Sequence, residues 1–165
     1  MESRLERRMG LQFPPSVGDI VMCAFPDCFE PPEMVKTRAV IVISPKLAGR
    51  AGLAAIVPLS NTAPDPVREY HCEIPARLLP KCMQATGGAR WAKCDMVYTL
   101  SIARLSLAMG KRNPQTKQRT YDKARLDLEH INKVRRCLAL SLGIGRQLFA
   151  ASDESSKAPC PLDKP

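Results

Sequence analysis

The sequence predicts an α+β fold, a small curled β-barrel or sheet with one helix packed on it. Three observations predict it. Short apolar or alternating runs recur at spacings of about ten to fifteen residues, each bounded by Gly, Pro, Asn or Asp. Fifteen prolines in 165 residues exceed the ordinary usage of about 5%, which argues for short strands and against a helical bundle. A long amphipathic stripe then begins at residue 128.

The elements follow in order. Residues 1–16 form a charged lead-in arm ending in Phe13-Pro14-Pro15. A Gly-Asp turn launches the first strand at 18–25, and Pro26 stops it. A proline-rich loop leads to residues 37–44, which are β-branched and apolar after Arg38, as a buried central strand should be. Residues 46–52 make a basic turn, 53–59 a third strand, and 60–66 a dense turn signal. Residues 68–74 alternate polar and apolar side chains, the mark of a half-exposed strand. Residues 75–88 read as a loop with room for a helical turn, 90–98 as one further strand, and 100–105 as its continuation after a kink.

The helix carries Leu128, Ile131, Val134, Leu138 and Leu142 on one stripe, with Asp127 as N-cap and Gly143 as stop. Residues 17–149 therefore constitute a single domain, large enough to bury a core with 45% hydrophobic residues. Residues 150–165 are polar and proline-containing, a tail expected to be disordered.

Neither a secretory signal nor a membrane span is expected. The charged start has no apolar run behind it, and the longest apolar runs, such as 39–43, are strand-sized. A cytoplasmic location follows. Seven cysteines, an odd number with no Cys-x-x-Cys pair, fit neither a disulfide framework nor a zinc site. Cys23, Cys72 and Cys94 sit in apolar stretches, where thiols behave as small hydrophobes.

The formal charge is +9, and it is concentrated. Residues 111–125 hold six basic side chains against Asp122 alone, and residues 77–93 hold four with no acid. Such segments suit a surface that neutralises phosphates, and equally suit solvated loops that keep a protein soluble. Few aromatics (5%) argue against a platform built from many stacked bases.

Chemistry-bearing motifs are scarce. The phosphate-cradling glycine loop, the Gly-x-Ser-x-Gly elbow and His-Glu-x-x-His are all missing, and His71 and His130 fall on different elements. Two positions stand out instead. Arg38 opens an otherwise apolar strand, where an arginine serves either an ion pair or an anion site. Ser60 ends the next strand and is followed by Asn61 and Thr62, so neighbouring strand ends can bring a guanidinium and hydroxyls to one mouth of a barrel.

From these residues a resemblance emerges. The order Gly18-Asp19-Ile20-Val21, then residues 36–44, then Val57-Pro58-Leu59-Ser60, then residues 91–97, resembles the MazF/PemK (Kid) toxins of type II toxin–antitoxin systems. The match runs from about residue 17 to 105, and the helix near 128–142 falls where that family has one. Ala39 stands where the family usually has proline, Ser60 where many members have threonine, and Cys94 where a small residue is common.

The resemblance implies a small SH3-like β-barrel homodimer. It would be a metal-independent, cofactor-free endoribonuclease on single-stranded RNA, restrained by an acidic antitoxin. It places the catalytic pair at Arg38 and Ser60, with Thr62 as an auxiliary hydroxyl and Asp95 either orienting Arg38 or serving as a strand-end acid. Lys36, Lys46, Arg50, Arg90 and Lys93 are the candidate RNA contacts. Two alternatives stay open: a non-catalytic barrel that binds nucleic acid or a partner, and a toxin of related fold that acts on gyrase.

Overall fold

The computed structural model describes residues 11–144, apart from residues 12, 47 and 117. Residues 1–10 of the expected arm at 1–16, and the whole expected tail at 150–165, lie outside the described residues. Four strands define the frame: β1 (Asp19–Ala24), β2 (Thr37–Val42), β3 (Leu53–Ser60) and β4 (His71–Ile74). A short helix α1 (Lys81–Gln84) precedes β5 (Arg90–Lys93), β6 (Tyr98–Ser101) and β7 (Leu105–Ser106). Then come β8 (Ala108–Arg112), β9 (Arg119–Asp122), β10 (Ala124–Arg125) and the helix α2 (Leu128–Ser141).

All strand pairs are antiparallel, in the order β10-β1-β2-β3-β5-β4. Both sides of this sheet fork. The outer edge of β1 carries β10 at Asp19 and Ile20, then β7 at Met22 and Cys23. The outer edge of β3 carries β6 along residues 53–56 and β5 at Leu59 and Ser60. A forked, twisted sheet curls into a half-barrel. Strands β8 and β9 form a separate two-stranded ribbon.

Alternation sorts the central strands into two cores. Ile20, Ile41, Val57 and Leu59 face one way, onto Cys72, Ile74 and the α2 residues Ile131, Val134 and Cys137. Val21, Val40, Val42 and Ile56 face the other way, with Cys23, Phe25 and Leu105. Strand β2 is thus buried on both faces, which explains its unbroken apolar run.

Helix α2 begins and ends as its sequence dictates. The Asp127 carboxylate accepts the His130 backbone N–H at 2.9 Å. At the other end Gly143 takes φ +75°, its N–H reaches the Leu140 carbonyl, and the Ile144 N–H reaches the Ala139 carbonyl. That double closure is a Schellman motif, and it needs a left-handed residue at this position.

Three expectations are corrected. Residues 90–98 are two strands, not one: the Met96 N–H closes a turn onto the Lys93 carbonyl, freeing β6 to pair with β3. Residues 68–74 are a strand only from His71, because the His71 N–H closes a turn onto the Arg68 carbonyl. The ends of the helical stripe, Leu128 and Leu142, are 73% and 64% exposed, because the sheet is long enough to cover only the middle turns.

A candidate site at the open rim of the sheet

Register places the site. Strand β2 pairs with β3 through Val40–Pro58, Ile41–Val57 and Val42–Ile56. The ladder ends at Val40–Pro58, and Arg38 and Ser60 each lie two residues further along their own strands. Opposite residues of an antiparallel pair share a face, so both side chains lie on the face of Val40 and Pro58, at the end where the sheet stops. Arg38 also sits opposite Cys23 of β1, and Ser60 opposite Trp91 of β5. Four strands thereby converge on one rim.

Arg38 is exposed, whereas Val40 two residues on is fully buried. The buried strand anchors the backbone while the guanidinium reaches into solvent. Ser60 is half-buried, and its hydroxyl is held in a tight turn. Its Oγ accepts the Thr62 N–H and donates to the Thr62 carbonyl, both at 3.1 Å. Thr62 thus contributes its main chain to the arrangement, and its side chain is exposed beside Ser60.

Lys36 lies two residues before Arg38 and has φ +68°, a left-handed backbone that a lysine adopts at a cost of order 1 kcal/mol. Lys93 follows Trp91 by two residues on β5 and therefore shares its face.

The loop between β1 and β2 borders this rim and is pinned from within. Phe25, Phe29 and Tyr98 form an aromatic cluster with centroids 5.2 to 6.1 Å apart. The Tyr98 hydroxyl accepts the Met34 N–H at 3.0 Å. Sequence reading passed over this clamp. Its signal was the Phe25/Phe29 spacing inside an otherwise polar, proline-rich stretch.

Other expected site residues are not gathered here. Lys46 and Arg50 sit in the turn between β2 and β3, at the far end of β2 from Arg38. Five residues of extended chain separate Arg38 from that turn, roughly 16 Å. Asp95 lies in the turn after β5, at the end away from Trp91, and is exposed.

Arg90 is corrected as a candidate RNA contact, for it is only 7% exposed. Its guanidinium donates to the Gly87, Gly88 and Ala89 carbonyls and to the Thr86 hydroxyl. A phosphate could engage those donors only by dissolving that loop, so this arginine organises residues 86–89.

Several other titratable groups are engaged away from this rim. The Asp127 carboxylate, besides capping α2, approaches His130 Nδ1 at 2.6 Å, and these contacts hold it below the usual carboxylate range. His71 Nδ1 accepts the Arg68 N–H, so the two histidines serve separate turns. Cys72, Cys94 and Cys137 meet in the helix-side core. Hydrogen bonding to Cys137 and burial keep the Cys72 and Cys94 thiols protonated.

Among the described residues no cluster of three His, Cys, Asp or Glu side chains is arranged to hold a metal ion, and no helix is long and apolar enough to cross a membrane. A cavity of about 530 Å³ lies beside Asp19–Val21 and Lys123–Arg125, at the opposite end of β1 from Arg38. The Arg38–Ser60 rim is an open ledge, suited to a passing chain more than to an enclosed small molecule.

Comparisons with known proteins bear on the family and the fold. The family model for the PemK-like, MazF-like toxin of type II toxin–antitoxin systems matches residues 16–142. The uncharacterized protein YifN of Escherichia coli (strain K12) is 33% identical over 117 residues, covering 61% of this chain and 77% of that protein. The crystal structure of MazF (Form-I) from Deinococcus radiodurans aligns with a TM-score of 0.54 at 20% identity, over 79% of this chain and 98% of that one. An endoribonuclease from a mycobacterial species aligns with a TM-score of 0.51 at 14% identity, over 79% and 93% respectively. At those identities the structural likenesses bear on the fold: a curled antiparallel sheet with a C-terminal helix.

Proposed function

Because this chain belongs to the PemK-like, MazF-like toxin family of type II toxin–antitoxin systems, we propose that it is a toxin that cleaves single-stranded RNA at the Arg38–Ser60 rim. One observation carries the reading: Arg38 and Ser60 each lie two residues beyond the last β2–β3 pair, Val40–Pro58, on neighbouring strands at a solvent-open edge. A mycobacterial structure of the same fold is an endoribonuclease, which supports the same reaction class here.

The reaction is transesterification. The RNA 2′-oxygen attacks the adjacent phosphorus, the bond from phosphorus to the 5′-oxygen breaks, and the products are a 2′,3′-cyclic phosphate and a 5′-hydroxyl. The 2′-OH proton is lost and the departing 5′-oxygen gains one. Arg38 carries a permanent charge on a forked set of donors, which suits it to the charge that builds on the pentacoordinate phosphorus. A guanidinium is too weak a base to take the 2′-OH proton near neutral pH, so its part is electrostatic. Ser60 exchanges its bond to the Thr62 carbonyl for one to a non-bridging phosphate oxygen, which orients the scissile group.

Lys36 and Lys93 flank that phosphate with positive charge, and Trp91 offers a ring on the same face. No metal enters this scheme. The toxin acts as a homodimer in the cytoplasm, and an acidic antitoxin restrains it by covering the basic rim.

The test is cleavage of an end-labelled single-stranded RNA in excess EDTA by the wild type and by R38A. The wild type is expected to yield cyclic-phosphate ends, and R38A to lose about 10²- to 10³-fold in rate with an unchanged circular dichroism spectrum. Strict dependence on added metal, or full activity in R38A, would overturn the assignment. Intact RNA with inhibited supercoiling would move it to gyrase, and RNA binding with no product would leave a non-catalytic barrel.

A further inference from the structure

The β8–β9 ribbon stands outside the main sheet, and its two faces have different fates. One face is docked. Ala108 is 1% exposed, and the Asp122 carboxylate accepts the Cys82 backbone N–H of α1 at 2.9 Å. Gly110 and residue 111 oppose Thr120 as a bulge between the Met109–Tyr121 and Arg112–Arg119 pairs. A side chain at Gly110 would collide with the Thr120 hydroxyl, so glycine is what lets the ribbon close.

The other face is turned to solvent. Met109 faces Tyr121, Arg112 faces Arg119, and the Arg119 guanidinium lies over the Met109 sulfur at 3.6 Å. Tyr121 is 60% exposed, and both Arg112 and Arg119 are exposed.

This face has the composition of a nucleotide platform. Arg112 and Arg119, directly across the ribbon with Cβ atoms about 5 Å apart, concentrate positive charge on this face. Arg119 spends one donor on a thioether, a weak acceptor that a phosphate oxygen readily replaces. Tyr121 lies two residues from Arg119 on the same face, about 7 Å away. One nucleotide can therefore stack its base on the ring while its phosphate reaches the guanidinium.

We propose that the Met109–Arg112–Arg119–Tyr121 face of the β8–β9 ribbon is a second binding site for single-stranded RNA, remote from the Arg38–Ser60 rim. The exposed ring beside the Arg119 guanidinium favours a nucleic acid over an acidic peptide. The inference rests on the reading of the protein as an RNA-cleaving toxin, and it deepens that reading by assigning a site that holds the strand away from the bond being broken.

Fluorescence anisotropy on the full chain tests it, using a labelled, uniformly 2′-O-methylated RNA of about 20 nucleotides, longer than a single-fold footprint. The probe lacks the attacking hydroxyl, so active protein binds it without cutting. Y121A should weaken binding about tenfold and Y121F should restore it. R119E should weaken binding at low salt, and R119A should lower the salt slope by about 0.7, the value of one phosphate contact on a single strand. These side chains are exposed, so thermal unfolding should not move.

Unchanged affinity and slope in all three disruptive variants would overturn the ribbon site even if the wild type cuts unmodified RNA. Loss of binding to an oligoglutamate peptide with RNA binding intact would overturn it as well. Absence of RNA cleavage by the wild type, with Y121A and R119E still impaired in binding, would sink the nuclease reading and leave the RNA site standing.

Discussion

Arg90 offers the sharpest separation between a structural and a substrate-binding role for a basic residue. The perturbation is R90A. Four contacts are lost, but they are not equal: the bonds to Thr86 Oγ1 and the Gly87 carbonyl are 2.9 and 3.0 Å, while those to Ala89 and Gly88 are 3.3 and 3.4 Å. Only the first two have favourable length. Charge-assisted hydrogen bonds contribute about 1.5–3 kcal/mol each. Gly87 and Gly88 are exposed, so their carbonyls can turn to water once the guanidinium is gone. That relief puts the loss at the low end, about 2–3 kcal/mol in all.

A chain of this size shifts its midpoint by about 2–4 °C per kcal/mol, so R90A should melt roughly 5–10 °C below wild type. R90K retains one donor group without the fork and should recover less than half of the difference. Differential scanning calorimetry measures both variants, and RNA affinity measured well below the melting range should be unaltered. A variant that melts with the wild type but has lost RNA affinity would refute the reasoning and return Arg90 to the RNA surface.

Further expectations concern the core, the site and the thiols. V134A removes two methyl groups from a fully buried position and should cost about 2 kcal/mol, whereas L128A, at 73% exposure, should cost under about 0.5 kcal/mol in urea unfolding. S60A should reduce kcat by about 10²-fold with little change in KM, while S60T, which keeps the hydroxyl, should retain most activity. Burial pushes the Cys23 thiol up to about 11 from 9.0. The folded state therefore holds its full contribution below pH 9 and loses it as the pH rises towards 11. C23A should make that alkaline fall in melting temperature shallower, and an identical slope would show that Cys23 ionises as readily folded as unfolded.

The central strands were legible because their burial is written into consecutive side chains. Residues 40–42 are apolar on both faces and could only be interior. Helix α2 was legible because Asp127 and Gly143 terminate it by local chemistry. The ribbon was not, since Arg119, Thr120 and Tyr121 are all exposed and carry no hydrophobic period. Its strands are defined by a bulge, a close glycine contact and a carboxylate reaching α1, and none of these leaves a pattern in sequence.

The site divides in the same way. Arg38 and Ser60 announced themselves as polar residues ending apolar runs, and the β2–β3 ladder ends two residues short of both. Lys46, Arg50 and Arg90 were chosen for charge alone. Charge does not say at which end of a strand a residue lies, or whether its donors are already spent on carbonyls.

The fork on the outer edge of β1 has a consequence for how the molecule comes into being. Asp19 and Arg125, joined by a 2.6 Å ion pair where β10 seals that edge, are 106 residues apart. On a ribosome adding about 5–20 residues per second, the first strand must wait on the order of 5–20 s for its last neighbour to emerge. Arg38 and Ser60 are both synthesised early in that interval, while the edge behind them is still unzipped and open to any strand that offers itself. A sheet assembled this way keeps part of its first strand's edge unpaired until about three-quarters of the 165 residues have been made.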